Sequence, residues 1–79
     1  MDLQQFVDNH RKRMKYSNRD LLGKLQEEVD ELNIAVSKRD REMELADVII
    51  TAIAYASLNK IDVYKAVKTK ASLRELGKL

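Results

Sequence analysis

The segment that most constrains the fold is an apolar run near the middle of the chain, from Leu45 to Leu58. It reads LADVIITAIAYASL, and Asp47 is its single charged residue. A helix that is apolar nearly all round must be surrounded by other helices. Burying the Asp47 carboxylate without a partner would cost several kcal/mol, so this group needs water, a partner or a proton.

The remaining sequence also has a helical pattern. It contains no proline and two glycines, and sheet-type alternation of polar and apolar residues is absent. The pattern therefore predicts helices joined by short polar turns. The helices are predicted at about residues 3–15, 18–37 and 41–59, with a fourth from about Asp62 to a stop at Gly77. Ser17, Asp40 and Asp62 are the predicted N-caps.

Apolar residues at helical spacing predict which faces are buried. On the second helix they recur every three or four residues, which is typical of a stripe that faces the core. The predicted core positions are Leu22, Leu25, Val29, Leu32 and Val36 on the second helix, Leu3, Phe6, Val7 and Met14 on the first, and Val63, Ala66, Val67, Leu73 and Leu76 on the last.

The length allows one domain, residues 1–79, with a marginal core of its own. A chain this short buries roughly 60% of its unfolded surface. Without cysteine it cannot form a disulfide or a thiolate metal site, which leaves oxygen-bound metal or oligomerisation as sources of stability. We predict an all-α antiparallel bundle of about four helices, completed by dimerisation because the third helix needs more cover.

The charge pattern narrows the functional classes. The net charge of +2 is a small balance of many charges of both signs. One basic run, HRKRMK from His10 to Lys15, suggests either a solvated helix end or a small nucleic-acid binder. The chain begins without a signal-peptide pattern, and its apolar run is shorter than the roughly 20 residues of a membrane span. We therefore expect a cytoplasmic protein with no membrane contact.

Two acidic pairs have the spacing of a metal site. Glu28 and Glu31 on the second helix, and Glu44 and Asp47 on the third, are each three residues apart, so each pair shares a helix face. Facing pairs would bring four carboxylates together, which is unfavourable unless a divalent cation binds them. Mg²⁺ takes such oxygen ligands and shares its shell with substrate phosphates. The alternative is a solvated acidic surface paired with lysines. The acid cluster would also repel a nucleic-acid backbone, which makes nucleic-acid binding the weaker alternative.

The acidic motifs also resemble those of a known family. EEVDE, Glu27 to Glu31, fits EExxE, and ELAD, Glu44 to Asp47, fits ExxD. With the apolar run and the basic segment KTKASLR that follow, the chain resembles the MazG-like all-α nucleoside triphosphate pyrophosphohydrolases, a superfamily that includes the dimeric dUTP pyrophosphatases. The resemblance extends over about residues 22–74. The chain departs from the family at Met43 and Ala46, neither of which is a ligand position.

The resemblance implies an activity and a set of site residues. Mg²⁺, or Mn²⁺ in its place, would be held by Glu28, Glu31, Glu44 and Asp47. The catalytic set would be Glu27, Glu28 and Glu31, and Lys24, Lys70 and Arg74 would hold the triphosphate. The reaction would be hydrolysis of a nucleoside triphosphate to the monophosphate and pyrophosphate, in a homodimer or homotetramer. The alternatives are a non-catalytic helical interaction protein and an inactive member of the family.

Overall fold

The protein is all-helical over the part of the chain that the structure describes. The structure is a computed structural model, and it describes residues 1–77, with the side chains of residues 18 and 19 excepted. Four α-helices and no strand are found in that range. They are α1 (Leu3–Met14), α2 (Asn18–Ile34), α3 (Lys38–Leu58) and α4 (Val63–Glu75). The predicted all-α class and the predicted number of helices are confirmed for the described residues.

Each helix begins with a side-chain cap. A carboxylate or hydroxyl oxygen accepts a hydrogen bond from a backbone N–H three residues later, which satisfies one of the free donors of the first turn. The caps are Asp2, Ser17, Ser37 and Asp62. Ser17 and Asp62 were predicted, but the prediction of Asp40 was wrong. The Asp40 backbone N–H instead donates to Ser37 Oγ at 3.0 Å, so α3 begins earlier than expected.

Gly77 ends the last helix, as the sequence predicts. Its φ of 72° lies in the left-handed region, where glycine has no steric penalty. Its backbone N–H donates to the Arg74 carbonyl at 3.0 Å, which satisfies one carbonyl of the last turn.

The core is small and lies between α1, α2 and the C-terminal half of α3. Its buried residues are Val7, Leu21, Ile53 and Ala54, with Tyr16, Ile50, Tyr55, Leu58 and Val63 packed against them. α2 packs along α3, and α1 packs against α3 as well. The apolar run of α3 therefore supplies much of the core, as its composition requires.

Several predicted core positions are exposed. On α2 the buried apolar residue is Leu21, whereas Leu22 is 52% exposed and Val29 is 44% exposed. The predicted stripe is therefore wrong in its rotation, because α2 is turned so that Leu21 faces α3. On α1 the prediction holds for Val7, while three other residues are exposed, namely Leu3, Phe6 and Met14.

α4 is held more loosely than the other helices. It contributes no buried residue, and only Val63 and Leu73 are half-buried. The Gln4 side chain of α1 reaches the connection before it: Gln4 Nε2 donates to the Ile61 carbonyl at 2.6 Å, and Gln4 Oε1 accepts from the Val63 backbone N–H at 2.9 Å. These two bonds fix the start of α4.

None of the described helices combines the length and the apolar character that a membrane span requires. Dimerisation, which the sequence predicts as the way to cover α3, stays a prediction.

Candidate metal centre

One face of α2 carries half of the candidate site, and on it Glu28 is buried, Lys24 half-buried and Glu31 exposed. Lys24, Glu28 and Glu31 follow at spacings of four and three residues, so they share the side of α2 that turns toward α3. Glu28 is 3% exposed, which makes it a carboxylate in the protein interior. Lys24 Nζ lies 2.9 Å from Glu28 Oε1 and 3.7 Å from a Glu27 oxygen. Lys24 therefore partly neutralises the buried charge.

The facing surface of α3 carries Glu44, Asp47 and Thr51. Glu44 is half-buried and Asp47 is exposed. Thr51 is buried and its Oγ1 donates to the Asp47 backbone carbonyl at 2.8 Å. This hydroxyl is therefore satisfied within its own helix and does not neutralise the carboxylates.

Three of the four predicted ligands meet in one group. Glu28, Glu31 and Glu44 each bring one carboxylate oxygen within 4.8 Å of those of the other two. Asp47 lies outside this triad, but it is close enough for the Glu28 charge to act on it. Glu31 interacts with Glu44, and Glu28 with Asp47, so the pairs follow opposite orders along the two helices.

The mutual repulsion of these acids shifts their pKa values. The pKa of Glu44 is raised, first by the hydrogen bond that its protonated form makes with Glu31, then by burial and by the charges of its neighbours. The pKa of Asp47 is raised first by partial desolvation of its carboxylate, although the residue as a whole is exposed, and then by the negative charge of Glu28. The Lys24 pKa is raised by its hydrogen bond with Glu28. Each shift means that the cluster favours additional positive charge.

Two carboxylate oxygens of the triad have nothing to bond with. Glu28 Oε2 and Glu44 Oε2 are buried, and neither has a hydrogen-bond partner among the described residues. A buried ionised oxygen without a partner carries its full desolvation cost, so groups of this kind need an explanation. A cation bound at the triad would give both oxygens a partner.

The donor set fits Mg²⁺. At Mg–O distances of roughly 2.0–2.1 Å, octahedral ligand oxygens lie about 2.9 Å apart when adjacent and about 4.1 Å apart when opposite. The triad oxygens lie within 4.8 Å of one another, which is close to the larger of those separations. All of the donors are carboxylate oxygens, which suit a hard cation such as Mg²⁺ or Mn²⁺.

Other predicted site residues lie outside the triad. The Glu27 side chain is on the surface beside Lys24. Lys70 lines an open groove formed by α4 and the connection before it, together with Lys60 and Lys65, and no triad residue lines that groove. Arg74 is exposed in the last turn of α4. The triphosphate-binding roles of Lys70 and Arg74 stay predictions.

The sequence missed which carboxylate is the most deeply buried. The apolar run around Asp47 predicts a buried carboxylate there, yet Glu28 is the buried group and Asp47 is exposed. The available signal was the position of Glu28 seven residues after Leu21, which places the two side chains on the same face of α2.

No protein-family model, curated protein or solved structure matches the chain. The case for a function therefore depends on the geometry of the acidic site and on the motifs in the sequence.

Proposed function

We propose that the chain is a Mg²⁺-dependent nucleoside triphosphate pyrophosphohydrolase whose metal is held by Glu28, Glu31, Glu44 and Asp47. The observation that carries the proposal is the pair of buried oxygens, Glu28 Oε2 and Glu44 Oε2, that lack partners inside a carboxylate triad. A solvated acidic surface would place such oxygens in water. The substrate class, a nucleoside triphosphate, is proposed because the EExxE and ExxD motifs resemble those of the MazG-like pyrophosphohydrolases.

The proposal includes an antiparallel arrangement of α2 and α3. The pairing of Glu31 with Glu44 and of Glu28 with Asp47 supports it, because a later residue of α2 meets an earlier residue of α3. The connection between Ile34 and Lys38 is also short, as expected for neighbouring helices that run in opposite directions. Both helices then contribute ligands from their facing sides.

The residues of the chain have distinct roles in this mechanism. Lys24 holds one Glu28 oxygen, and the other is buried without a partner and so is available as a metal ligand. Glu27 is on the surface next to this ligand, where it can take a proton from an attacking water. Lys70 and Arg74 would neutralise the phosphates that leave as pyrophosphate. Bound Mg²⁺ would supply charge neutralisation and polarise the phosphoryl group.

The test is pyrophosphate release from a panel of ribo- and deoxyribonucleoside triphosphates with Mg²⁺. We expect at least one substrate to be hydrolysed, and Glu28→Gln to abolish the release while the circular dichroism spectrum stays helical. Glu42→Gln is the matched control, since Glu42 is an exposed carboxylate of α3 that pairs with Lys38. Failure of every nucleotide in the panel would contradict the proposed activity.

The alternative of a non-catalytic interaction protein is favoured by the apolar residues that α2 and α3 expose. Calorimetric titration with Mg²⁺ in the absence of nucleotide separates it from the enzyme and from an inactive relative. Binding that Glu28→Gln removes, without turnover, would indicate an inactive relative. Absence of both binding and turnover would favour the interaction protein.

A further inference from the structure

α4 and the connection before it form an open groove with a basic lining, which we name the lysine groove. Its volume is about 550 Å³, and its lining includes Lys60, Lys65, Lys70, Ala66 and Leu73. Asp62 is the acidic residue of the lining, and its carboxylate caps α4 by accepting from the Lys65 backbone N–H at 3.0 Å. With three lysines and this one carboxylate, the lining carries a net charge of +2.

Two of the lysines flank a stripe of small and apolar side chains along α4. Ala66, Thr69 and Leu73 follow at spacings of three and four residues, so they share one side of the helix. By the helical turn, Lys65 and Lys70 lie about 70° to either side of this stripe, and they are about 7.5 Å apart along the helix axis. The two cations therefore stand at opposite edges of the stripe, where they would contact separate anionic groups of one ligand.

The lysines of the groove lack carboxylate partners within the described part of the chain, since no ion pair there involves any of the three. The other basic run, on α1, differs in this respect. Asp8 pairs there with Arg11 at 2.8 Å and with Lys12 at 3.2 Å. Cations that are grouped in a groove without neutralising partners attract anions to it.

The charges of the chain are also unevenly distributed between its elements. From Lys60 to Gly77 there are five basic and two acidic residues, whereas α2 and α3 together contain five basic and nine acidic residues. None of the triad carboxylates lines the lysine groove. The acidic cluster, which would repel a nucleic-acid backbone, therefore does not form part of this groove.

The surface of α4 does not fit an anionic membrane, which is another polyanion that lysines attract. A helix that lies in a membrane interface inserts one apolar face. On α4 the exposed apolar residues Val67 and Leu76 are nine positions apart, which places them about half a turn from each other. They cannot insert together, so the ligand that fits is an extended anion lying in the groove.

We propose that the lysine groove binds the backbone of a single-stranded nucleic acid. Such a strand presents successive phosphates to lysines at both edges of the groove, and its sugars and bases offer apolar surface to the stripe between them. The binding has no sequence preference, because phosphate contacts carry no sequence information. It goes beyond the proposed hydrolysis and does not need the metal, since the groove contains none of the metal ligands.

The test is the fluorescence anisotropy of a labelled oligothymidylate of about 15 nucleotides that carries no terminal phosphate, titrated with the full chain in EDTA. For three phosphate contacts the logarithm of the association constant should fall with the logarithm of the salt concentration with a slope of about −2. Lys65→Gln should lower the slope to about −1.4 and weaken binding about fivefold to tenfold at about 50 mM NaCl.

Lys68→Gln is the matched control, because Lys68 is an exposed lysine of the same helix that does not line the groove. It removes the same charge and should leave the slope unchanged. Lys70 is not used for the test, since it is also proposed to bind the triphosphate. The solution contains neither metal nor nucleoside triphosphate, so the result does not depend on whether the chain hydrolyses nucleotides.

Three results would overturn the proposal. The first is absence of binding at about 100 µM protein and about 50 mM NaCl. The second is an equal effect of Lys65→Gln and Lys68→Gln, which would show a diffuse attraction to the whole helix. The third is binding to vesicles of phosphatidylserine and phosphatidylcholine without binding to the oligonucleotide, which would assign the lysines to a membrane surface.

Discussion

Glu28 is the residue on which the candidate site depends. It is a buried carboxylate with one oxygen on Lys24 and the other without a partner among the described side chains. Proteins bury charges when those charges are paired or bind metals, because the desolvation cost is otherwise too high. The single Lys24 contact compensates for part of one charge, while Glu31 and Glu44 add two more within 4.8 Å. Without a bound cation, the repulsion among these three carboxylates therefore destabilises the folded state.

The repulsion among the triad carboxylates predicts how the stability of the protein without a bound metal depends on pH. The folded state raises the pKa of Glu44 above its ordinary value of 4.5, so the folded state holds its proton more tightly than the unfolded state. The free energy of unfolding should then fall as the pH rises from 4.5 to the raised pKa of Glu44, and the loss is complete above the raised pKa. Glu44→Gln removes it. Urea unfolding in EDTA should show the variant more stable than the wild type at pH 7, with the difference shrinking toward pH 4.5.

Glu42→Gln is the control for this experiment, because Glu42 lies outside the triad and faces Lys38 across one helical turn. A difference between Glu44→Gln and the wild type that is the same at every pH would contradict the electrostatic explanation.

The elements themselves were largely predictable, but their rotation was not. Caps such as Ser17 and Asp62 are local, since the side chain bonds a backbone N–H three residues away. The rotation of α2 is not local. Leu21 and Leu22 are both apolar and about 100° apart, and periodicity alone does not say which one faces α3. That choice depends on the packing of α1 and α3, and it also sets how deeply Glu28 is buried.

The two neighbouring leucines give a direct test of this rotation. Leu21 is fully buried, so Leu21→Ala should lower the free energy of unfolding by about 3 kcal/mol through lost contacts and a cavity. Leu22 is 52% exposed, so Leu22→Ala should change the free energy of unfolding by no more than about 0.5 kcal/mol. Denaturant unfolding measures both variants. Equal losses of unfolding free energy would show that the rotation of α2 is wrong.

The candidate site also combines features that the sequence predicts locally with positions that depend on tertiary packing. The i, i+3 spacing of Glu28 with Glu31 could be read directly, and so could the short connection that makes α2 and α3 neighbours. The position of Lys70 could not, because it depends on how α4 leaves the connection at Ile61. No periodic signal encodes that direction.

At the scale of the whole molecule, stability and ligand binding are coupled. The buried core is small, with Leu21 and Val7 as its largest fully buried side chains. A cation that binds the folded chain and not the unfolded chain adds its binding free energy to this modest stability. Under the proposed function, a cation held by the carboxylate triad between α2 and α3 would be such a source of additional stability.

We therefore predict a large thermal stabilisation by Mg²⁺. At a concentration one hundred times the dissociation constant, the free energy of unfolding should rise by about 2.7 kcal/mol. For a domain of this size that corresponds to a rise of roughly 10–20 °C in the melting temperature. The measurement is scanning calorimetry at a fixed protein concentration, with Glu28→Gln as the variant that should lose most of the effect. An identical rise with NaCl of matched ionic strength would contradict specific binding.

The weak attachment of α4 has a consequence for how a nucleotide would be recognised. This helix carries Lys70 and Arg74 but buries none of its residues, and its first turn is fastened by the amide of one glutamine. A segment held in this way opens on its own, well below the free energy of global unfolding. If Lys70 and Arg74 bind a triphosphate, substrate binding and the ordering of α4 occur together. The free energy needed to order α4 then lowers the net affinity for the nucleotide.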